Sequence, residues 1–286
     1  MRRKLFAGLF FMLGLTAVSA QINLSFNPEK GAKYEYQTEM IQNIKQSVMG
    51  QEIPVEMEVN MSYLMEIKDK TPQETHVQLT YQDIVYVISN PMMNMRYDSE
   101  NPAVRNLINK SFLMVVAPDG SVKSVTEIDN VAESPTNTSG ANWQVDAQVV
   151  AQLNQQFSGD AVKDMLEQSF KMYPANAVRA GDSWNMDNTT TINNMNTSVK
   201  TKYTLKEISG NIATVAIESD MVMTVGAGME GTIAGTQTGT MTIDTRTGLP
   251  VTSDIAQNIA GLVKAQGMDV QVQLTGKVKT SIKEIK

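Results

Sequence analysis

Apolar and polar residues alternate along unusually long stretches of this chain. Over residues 55–67 every second residue is apolar, and most of the residues between them are polar. Successive side chains of a β-strand point to opposite faces, so this pattern predicts a strand with one apolar face and one wet face. Runs of the same kind occupy residues 199–205, 213–225 and 270–282.

The predicted strands are longer than those of most globular proteins. A run of about 13 residues extends about 40 Å, whereas the usual strand has about 5–6 residues. Long antiparallel strands with one apolar face must twist and coil, which favours a wide curved sheet or partial barrel. The runs between turn signals predict about eleven strands. Within one of them, Tyr81-Gln82-Asp83-Ile84 shifts the alternation from odd to even positions and predicts a β-bulge.

Three segments in the middle of the chain have helical patterns instead. Asn101-Pro102 supplies the cap and first position of a short helix, and residues 145–153 carry a second apolar stripe. The third helix is expected to end before Pro174. Its apolar stripe consists of Val162, Met165, Leu166, Phe170 and Tyr173.

Two parts of the chain share the same order of signals. Each begins with a Gly-x-x-aromatic strand start, at Gly31 and Gly181, and each closes with a glycine-containing hairpin, at Gly120 and Gly248. We predict a mainly β (α+β) fold of long curved antiparallel strands in two similar halves, open-barrel-like, with two or three helices in the middle. The predicted divisions are a signal peptide (1–20), an N-terminal β-unit with a short helix (21–129), a loop and helical segment (130–173) and a C-terminal β-unit (174–286).

The first twenty residues are typical of a signal peptide. A basic start is followed by an apolar stretch and by Ala17-Val18-Ser19-Ala20, which predicts cleavage between Ala20 and Gln21. No cysteine follows that point, so we expect an exported periplasmic or secreted protein and not a lipoprotein. No later stretch has the ~20 apolar residues of a transmembrane helix.

Composition excludes several chemistries. The 286 residues include no cysteine and one histidine, which excludes thiolate metal sites, cysteine nucleophiles and sites with two imidazoles. Removal of the predicted signal peptide leaves 21 basic and 30 acidic residues, a net charge of −9. Nucleic acid, which requires a cationic surface, is therefore not an expected partner.

Several motifs resemble an uncharacterised (domain of unknown function) family of exported Bacteroidota proteins. They are the Lys-Gly-x-x-Tyr start at Lys30, the Ala-Gly-Asp-Ser-Trp start at Ala180, and the Asp-x-x-Thr-Gly hairpin at Asp244. The resemblance implies no activity, and many members are lipoproteins whereas this chain lacks the cysteine. The predicted architecture is also similar, more loosely, to the open-barrel lipoprotein carriers of the bacterial envelope.

No motif predicts a catalytic site. Residues 226–231 spell G-x-G-x-x-G, but no helical pattern follows, so a glycine-rich hairpin is the better interpretation. His76 and the pair Glu56 and Glu58 lie at positions whose strand neighbours are polar, which predicts solvated outer faces.

Methionine is unusually frequent, with twenty residues. Three interpretations remain open: adaptable core packing, a Cu(I) site at Met92, Met93 and Met95, and a pliable apolar concavity that accepts lipid. We favour the first and third over copper, and no metal or cofactor is expected.

The leading hypothesis is a non-enzymatic protein that binds a hydrophobic ligand or lipid on a concave, methionine-rich sheet face. The alternatives are an envelope scaffold or protein-interaction module with a solid core, and a hydrolase. The predicted ligand-binding residues are Met57, Met61, Tyr63, Met65, Leu79 and Tyr81.

Overall fold

The fold consists almost entirely of long β-strands. The computed structural model describes residues 21–126, 159–192, 195–226, 229–265 and 267–285. In this part of the chain the strands are β1 (Lys33–Val48), β2 (Gln51–Lys70), β3 (Thr75–Asn90), β4 (Met93–Tyr97), β5 (Ser111–Val116), β6 (Val122–Thr126), β7 (Ser183–Ile192), β8 (Met195–Ser209), β9 (Ile212–Val225), β10 (Met229–Asp244), β11 (Pro250–Ala265) and β12 (Met268–Ile285). The helices are α1 (Pro102–Arg105) and α2 (Gly159–Phe170).

All of these strands belong to one antiparallel sheet with the order β6-β5-β3-β2-β1-β12-β11-β10-β9-β8-β7. The short strand β4 pairs with β3 beside this path. The sheet is curved and open, with β6 and β7 as its edges, which confirms the predicted mainly β, open-barrel-like class. The described residues form twelve strands, close to the predicted number of about eleven.

The two predicted β-units contribute to this single sheet. Strands β7–β12 form one meander, and strands β1, β2, β3, β5 and β6 form another. Strand β12 joins the two by pairing with the whole length of β1, from Lys33 opposite Ile285 to Val48 opposite Val270. The division of the chain into units stays a prediction.

The structure confirms that the alternating apolar residues lie on one face of each long strand. In β2 the apolar residues from Ile53 to Ile67 face the interior, and the residues between them are more exposed. The register between β2 and β3 shifts at Tyr63, so that Gln82 is an extra residue in β3. This confirms the predicted bulge and explains why inward-facing residues change from odd to even positions there.

The hydrophobic core lies at one end of the sheet, which we call the base; we call the opposite end the tip. The extended residues 21–32 cross the base and connect the two meanders. The Phe26 amide donates to the Pro118 carbonyl and the Asn27 amide to the Thr247 carbonyl, both at 2.8 Å. Ile22 forms an isolated β-bridge with Val178.

Helix α2 covers the base core. Its residues Val162, Leu166 and Phe170 are buried, and the Phe26 and Phe170 rings meet edge to face at 5.4 Å. After the helix, the Tyr173 hydroxyl donates to the Gly248 carbonyl and the Trp184 indole to the Met172 carbonyl, both at 2.8 Å. The helix contacts both β6 and β7, the two edges of the sheet.

Of the two other predicted helices, one is present as a short segment and one lies outside the described residues. The helix predicted from Pro102 is a short segment, α1; Val104 within it and Leu107 just after it are buried. Residues 145–153 and the signal peptide lie outside the described residues. No helix in the described part of the chain combines the length and apolar character needed to cross a membrane.

The repeated sequence signals correspond to repeated backbone hydrogen bonds. Gly31 and Gly181 both have positive φ, and their amides donate to the carbonyls of Ile67 and Leu205 at 2.8 and 2.7 Å. Each bond attaches the start of one strand to a neighbouring strand of the same half. The two halves therefore use the same backbone device at corresponding strand starts.

Strands β10 and β11 approach each other closely at two glycines. A Cβ atom built on Gly235 would lie 2.1 Å from the Asn258 carbonyl oxygen, and one on Gly239 would lie 2.1 Å from the Asp254 carbonyl oxygen. Only glycine fits such a close approach of neighbouring strands. These glycines allow the inner side of the sheet to close around a narrow space.

We expect Gly239→Ala to lower the free energy of unfolding by about 1–3 kcal/mol, because the added methyl group must push β11 away. The control is Ala234→Val on the outer face of the same strand, where about 0.5 kcal/mol or less is expected. Denaturant unfolding of both variants measures the difference. Equal stability of the two variants would contradict the proposed curvature.

Candidate functional site

The candidate site is the inner face of the sheet, the face that packs against the base core. From the level of Tyr36 to the tip, none of the described residues on this face of β1–β3 and β7–β12 is Asp, Glu, Lys, Arg or His. Lys70 and Glu284 lie on this face at its base end, and charged residues such as Glu39, Lys279 and Asp254 are on the outer face. Nine neighbouring strands therefore share one uncharged surface, which is suited to uncharged, apolar material.

The lowest part of the inner face is filled. Met65, Leu79 and Leu205 have no exposed surface, and Tyr63 and Tyr81 are also buried, with their rings 5.1 Å apart. The residues 21–32 and α2 cover this level. Its buried side chains serve as hydrophobic core.

Above the core, one register level carries hydrogen-bonding side chains, and we call it the polar row. Pairing places Thr201 opposite Ser219, Ser219 opposite Gln237, and Gln237 opposite Gln257. The Thr201 and Ser219 hydroxyl oxygens are 2.9 Å apart, and the Gln42 amide donates to the Gln257 side-chain oxygen at 3.2 Å. The polar row offers neutral donors and acceptors in otherwise apolar surroundings.

A cavity of about 270 Å³ lies between the polar row and the end of α2. Gln237 and Gln257 of the polar row, Tyr203 and Ile255 of the sheet, and Phe170 of the helix are among its lining residues. Six neighbouring strands contribute to it, which shows how strongly the sheet curves. Its volume is just below the range of about 300–1,000 Å³ for small-molecule pockets, so it fits part of a ligand and not a whole lipid.

Between the polar row and the tip, the inner face of β8–β12, β1 and β2 is almost entirely apolar, and we call this surface the upper trough. Val225, Ile259 and Val263 are buried, but most of its apolar residues are only half-buried. The half-buried residues are Ile44, Ile53, Val55, Val199, Met221, Met223, Ile233, Val270, Val272 and Leu274. A contiguous apolar surface that stays in contact with water marks a place where another molecule binds.

The six residues predicted to bind a ligand fall into two groups. Tyr63, Met65, Leu79 and Tyr81 are buried in the base core. Met57 and Met61 are half-buried, and their sulfur atoms accept hydrogen bonds from the Tyr86 and Tyr63 hydroxyls at 3.4 and 3.3 Å. Their role in ligand binding stays a prediction.

Sequence reasoning missed the upper trough although its residues show the same alternation. Val272 and Leu274 lie in a run that was recognised, yet their proximity to Ile44 follows only from the pairing of β1 with β12. That pairing connects residues more than 200 positions apart and leaves no local signal. The methionines of β2 instead led to a predicted ligand-binding site centred on that strand.

The other residues considered for chemistry do not meet at a site. The His76 imidazole lies 3.2 Å from the Glu74 carboxylate at the base end, and Glu56 and Glu58 are exposed on the outer face. Met92 and Met93 lie at the β3–β4 turn, while the Met95 sulfur accepts a hydrogen bond from the Tyr97 hydroxyl at 3.2 Å.

Leu79→Ala should lower the free energy of unfolding by about 2–5 kcal/mol, because it leaves a cavity in the base core. Met57→Ala should cost clearly less, since that side chain is half-buried and its surroundings remain accessible to water. Chemical denaturation compares the two variants. A small effect of Leu79→Ala would mean that the base is open and available to a ligand.

The buried tyrosines predict alkaline instability. Burial raises the pKa of Tyr203 to about 12 and that of Tyr63 well above its usual value. Between pH 10 and 12 the unfolded chain loses phenol protons that the folded chain keeps, so the free energy of unfolding falls as pH rises.

Tyr203→Phe removes one of these protons while keeping the ring that stacks on Trp184. Denaturation at pH 9 and at pH 11.5 should show that the variant loses about 2 kcal/mol less stability than the wild type over this interval. If the variant and the wild type lose the same stability between pH 9 and pH 11.5, Tyr203 is not buried in the folded protein.

Comparison with known proteins gives a family but no activity. No curated protein matches the chain. Among solved structures, a lipovitellin structure described by its lipid–protein interactions has 9% identity and a TM-score of 0.48 over 90% of this chain, which spans only 25% of the lipovitellin chain. OccK7 (OpdD) of Pseudomonas aeruginosa has 9% identity and a TM-score of 0.27, covering 90% of this chain and 100% of its own.

A DUF1329 family protein from Desulfovibrio piger has 10% identity and a TM-score of 0.17, covering 87% of this chain and 85% of its own. Likenesses at this level carry no argument about function. The model of a family of unknown function, DUF6263, matches residues 72–250, which confirms the expected membership of an uncharacterised family. This chain belongs to the DUF6263 family.

Proposed function

We propose that this protein binds an uncharged lipid or similar hydrophobic ligand in the upper trough. The observation that carries the proposal is the half-buried apolar surface shared by seven strands, with side chains such as Ile44, Met223 and Leu274 in contact with water. Covering this surface with an acyl chain is favourable by about 25 cal/mol for each Å² removed from water.

The polar row defines the chemistry of the ligand. Gln42, Gln237 and Gln257 offer amide donors and acceptors, and no described residue of the polar row or the upper trough carries a charge to pair with an ion. An isolated carboxylate or phosphate there would lose its hydration without compensation. A hydroxyl, ester or amide group is matched instead, which favours a neutral lipid over a free fatty acid.

We further propose that the role is non-enzymatic and that the protein acts outside the cytoplasm after removal of residues 1–20. The absence of cysteine, the single histidine and the position of His76 away from the inner face support a binding role. The apolar stretch followed by Ala17-Val18-Ser19-Ala20 supports export.

Native mass spectrometry with a neutral monoacylglycerol and with the matching fatty acid tests the ligand class. We expect the monoacylglycerol to bind and to raise thermal stability, by about 2.7 kcal/mol at a concentration 100 times its Kd. Binding should be lost in Leu274→Gln, whose polar amide lies in the upper trough. Thr275→Gln, on the outer face of the same strand, is the control.

An apo mass that is unchanged after incubation with both lipids would overturn the proposal. Stronger binding of the fatty acid would keep the site but contradict a neutral ligand. Loss of binding in both variants would place the ligand elsewhere. With no lipid bound, the solid base core would favour the scaffold alternative.

A further inference from the structure

Large apolar side chains that remain exposed are concentrated at the tip of the sheet. Of the eight found in the described part of the chain, six lie in a tip-end turn or within four residues of one. Met49 and Met92 are the most exposed, at 86% and 85%. The six residues are Met49, Met92, Met93, Val222, Leu262 and Met268.

The base end, built from the same kind of hairpin, is different. The β2–β3 connection carries Lys70 and Glu74, and the β10–β11 turn carries Asp244 and Arg246, which form an ion pair at 2.6 Å. Exposed methionine is thus not a general property of the turns in this fold. It distinguishes one end of the sheet from the other.

Four of the tip-end hairpins end at a common level, and the β3–β4 hairpin ends lower, because Ser89 pairs with Glu56 and Glu56 with Asn43. One register row passes through Val48, Val270, Val263, Gly231 and Val225, and the turns of β1–β2, β9–β10 and β11–β12 follow directly beyond it. The β7–β8 hairpin ends at the same row, since Met195 pairs with Val225. Several turns can therefore meet one broad surface together, and the upper trough extends to the same end.

The charges near these turns are few and balanced. Within four residues of the tip-end turns, the sequence has three basic and three acidic residues: Lys45, Arg96, Lys264, Glu52, Glu230 and Asp269. The whole chain carries a net charge of −6. The tip therefore has no net attraction to anionic lipid, and the rest of the molecule is repelled by it.

From these observations we propose that the tip end docks on a lipid bilayer with zwitterionic headgroups, inserting the methionine-bearing turns into the interface. Flexible thioether side chains on neutral turns bury apolar surface among acyl chains at little desolvation cost. Because the attraction is apolar and not ionic, it should be independent of salt. The proposal does not require a ligand in the upper trough.

Flotation with phosphatidylcholine vesicles tests the docking. The test variant is Met49→Gln/Met92→Gln/Met268→Gln, and the control is Ile41→Gln/Ile285→Gln, which removes the two exposed apolar residues that lie away from the tip turns. Wild type and control should float with the vesicles equally at about 0.05 and 0.5 M NaCl. The test variant should bind at least about tenfold more weakly. Circular dichroism and thermal melting confirm that all three proteins are folded.

The absence of cysteine allows a second, direct measurement of orientation. Met49→Cys and Ile285→Cys each provide one site for an environment-sensitive fluorophore. We expect a blue shift on vesicle addition for the label at residue 49 and none for the label at residue 285.

Three outcomes would overturn the proposal: no flotation of the wild type, equal flotation of the test variant, or equal shifts at both labels. Analytical ultracentrifugation without vesicles measures whether the protein forms a dimer through the tip. If the wild type is a dimer that the tip substitutions dissociate, the tip is an interface between two copies and not a membrane surface. Monoacylglycerol binding by native mass spectrometry is measured separately, so loss of docking and loss of ligand binding are distinguishable.

Discussion

The antiparallel pairing of β1 with β12 is the interaction on which the rest of this structure depends. It joins two meanders that lie at opposite ends of the chain into a single sheet. It brings Gln42 opposite Gly276 and so extends the polar row from the C-terminal meander into the N-terminal one. It also leaves β6 and β7 as the two edges, which α2 contacts. Such non-local pairing carries a large entropic cost of closure that the burial of the base core must offset.

The inner face divides into three levels with different physical roles. At the base, residues 21–32 and α2 exclude water and complete a packed core. At the middle level, two hydrogen bonds join members of the polar row, Thr201 to Ser219 and Gln42 to Gln257, beside a cavity of about 270 Å³. Above it, the strands continue for several residues beyond the part that the core covers. The length of the strands thus creates both the core and the apolar surface above it.

The base and the tip of the sheet differ chemically, which gives the molecule a preferred orientation on the proposed bilayer. The base end carries charged turns and backbone hydrogen bonds from the N-terminal segment. The tip end carries methionine-bearing turns with balanced charge, and the upper trough extends to it. A bilayer contacted by the tip would therefore lie next to the tip end of the proposed ligand site.

Local features of the chain were sufficient to predict much of this fold. Alternation over residues 55–67 determined which residues of β2 face inward, and the shift at Gln82 determined the bulge, because both follow from the two-residue period of a strand. Gly31 and Gly181 marked equivalent strand starts, because each needs a positive φ. The family resemblance rested on these same short structural motifs, and for that reason it implied no activity.

Tertiary structure alone decided which inward-facing residues become core and which stay half-buried in the upper trough. Tyr63, Met65, Leu79 and Tyr81 have the same alternation as Ile44 and Leu274, yet the former lie beneath α2 and residues 21–32 while the latter lie in the upper trough. The period of a strand specifies the face of a side chain but not its height in the sheet or what covers it. Height depends on register between strands distant in sequence, and cover depends on where the helix and the N-terminal segment pack.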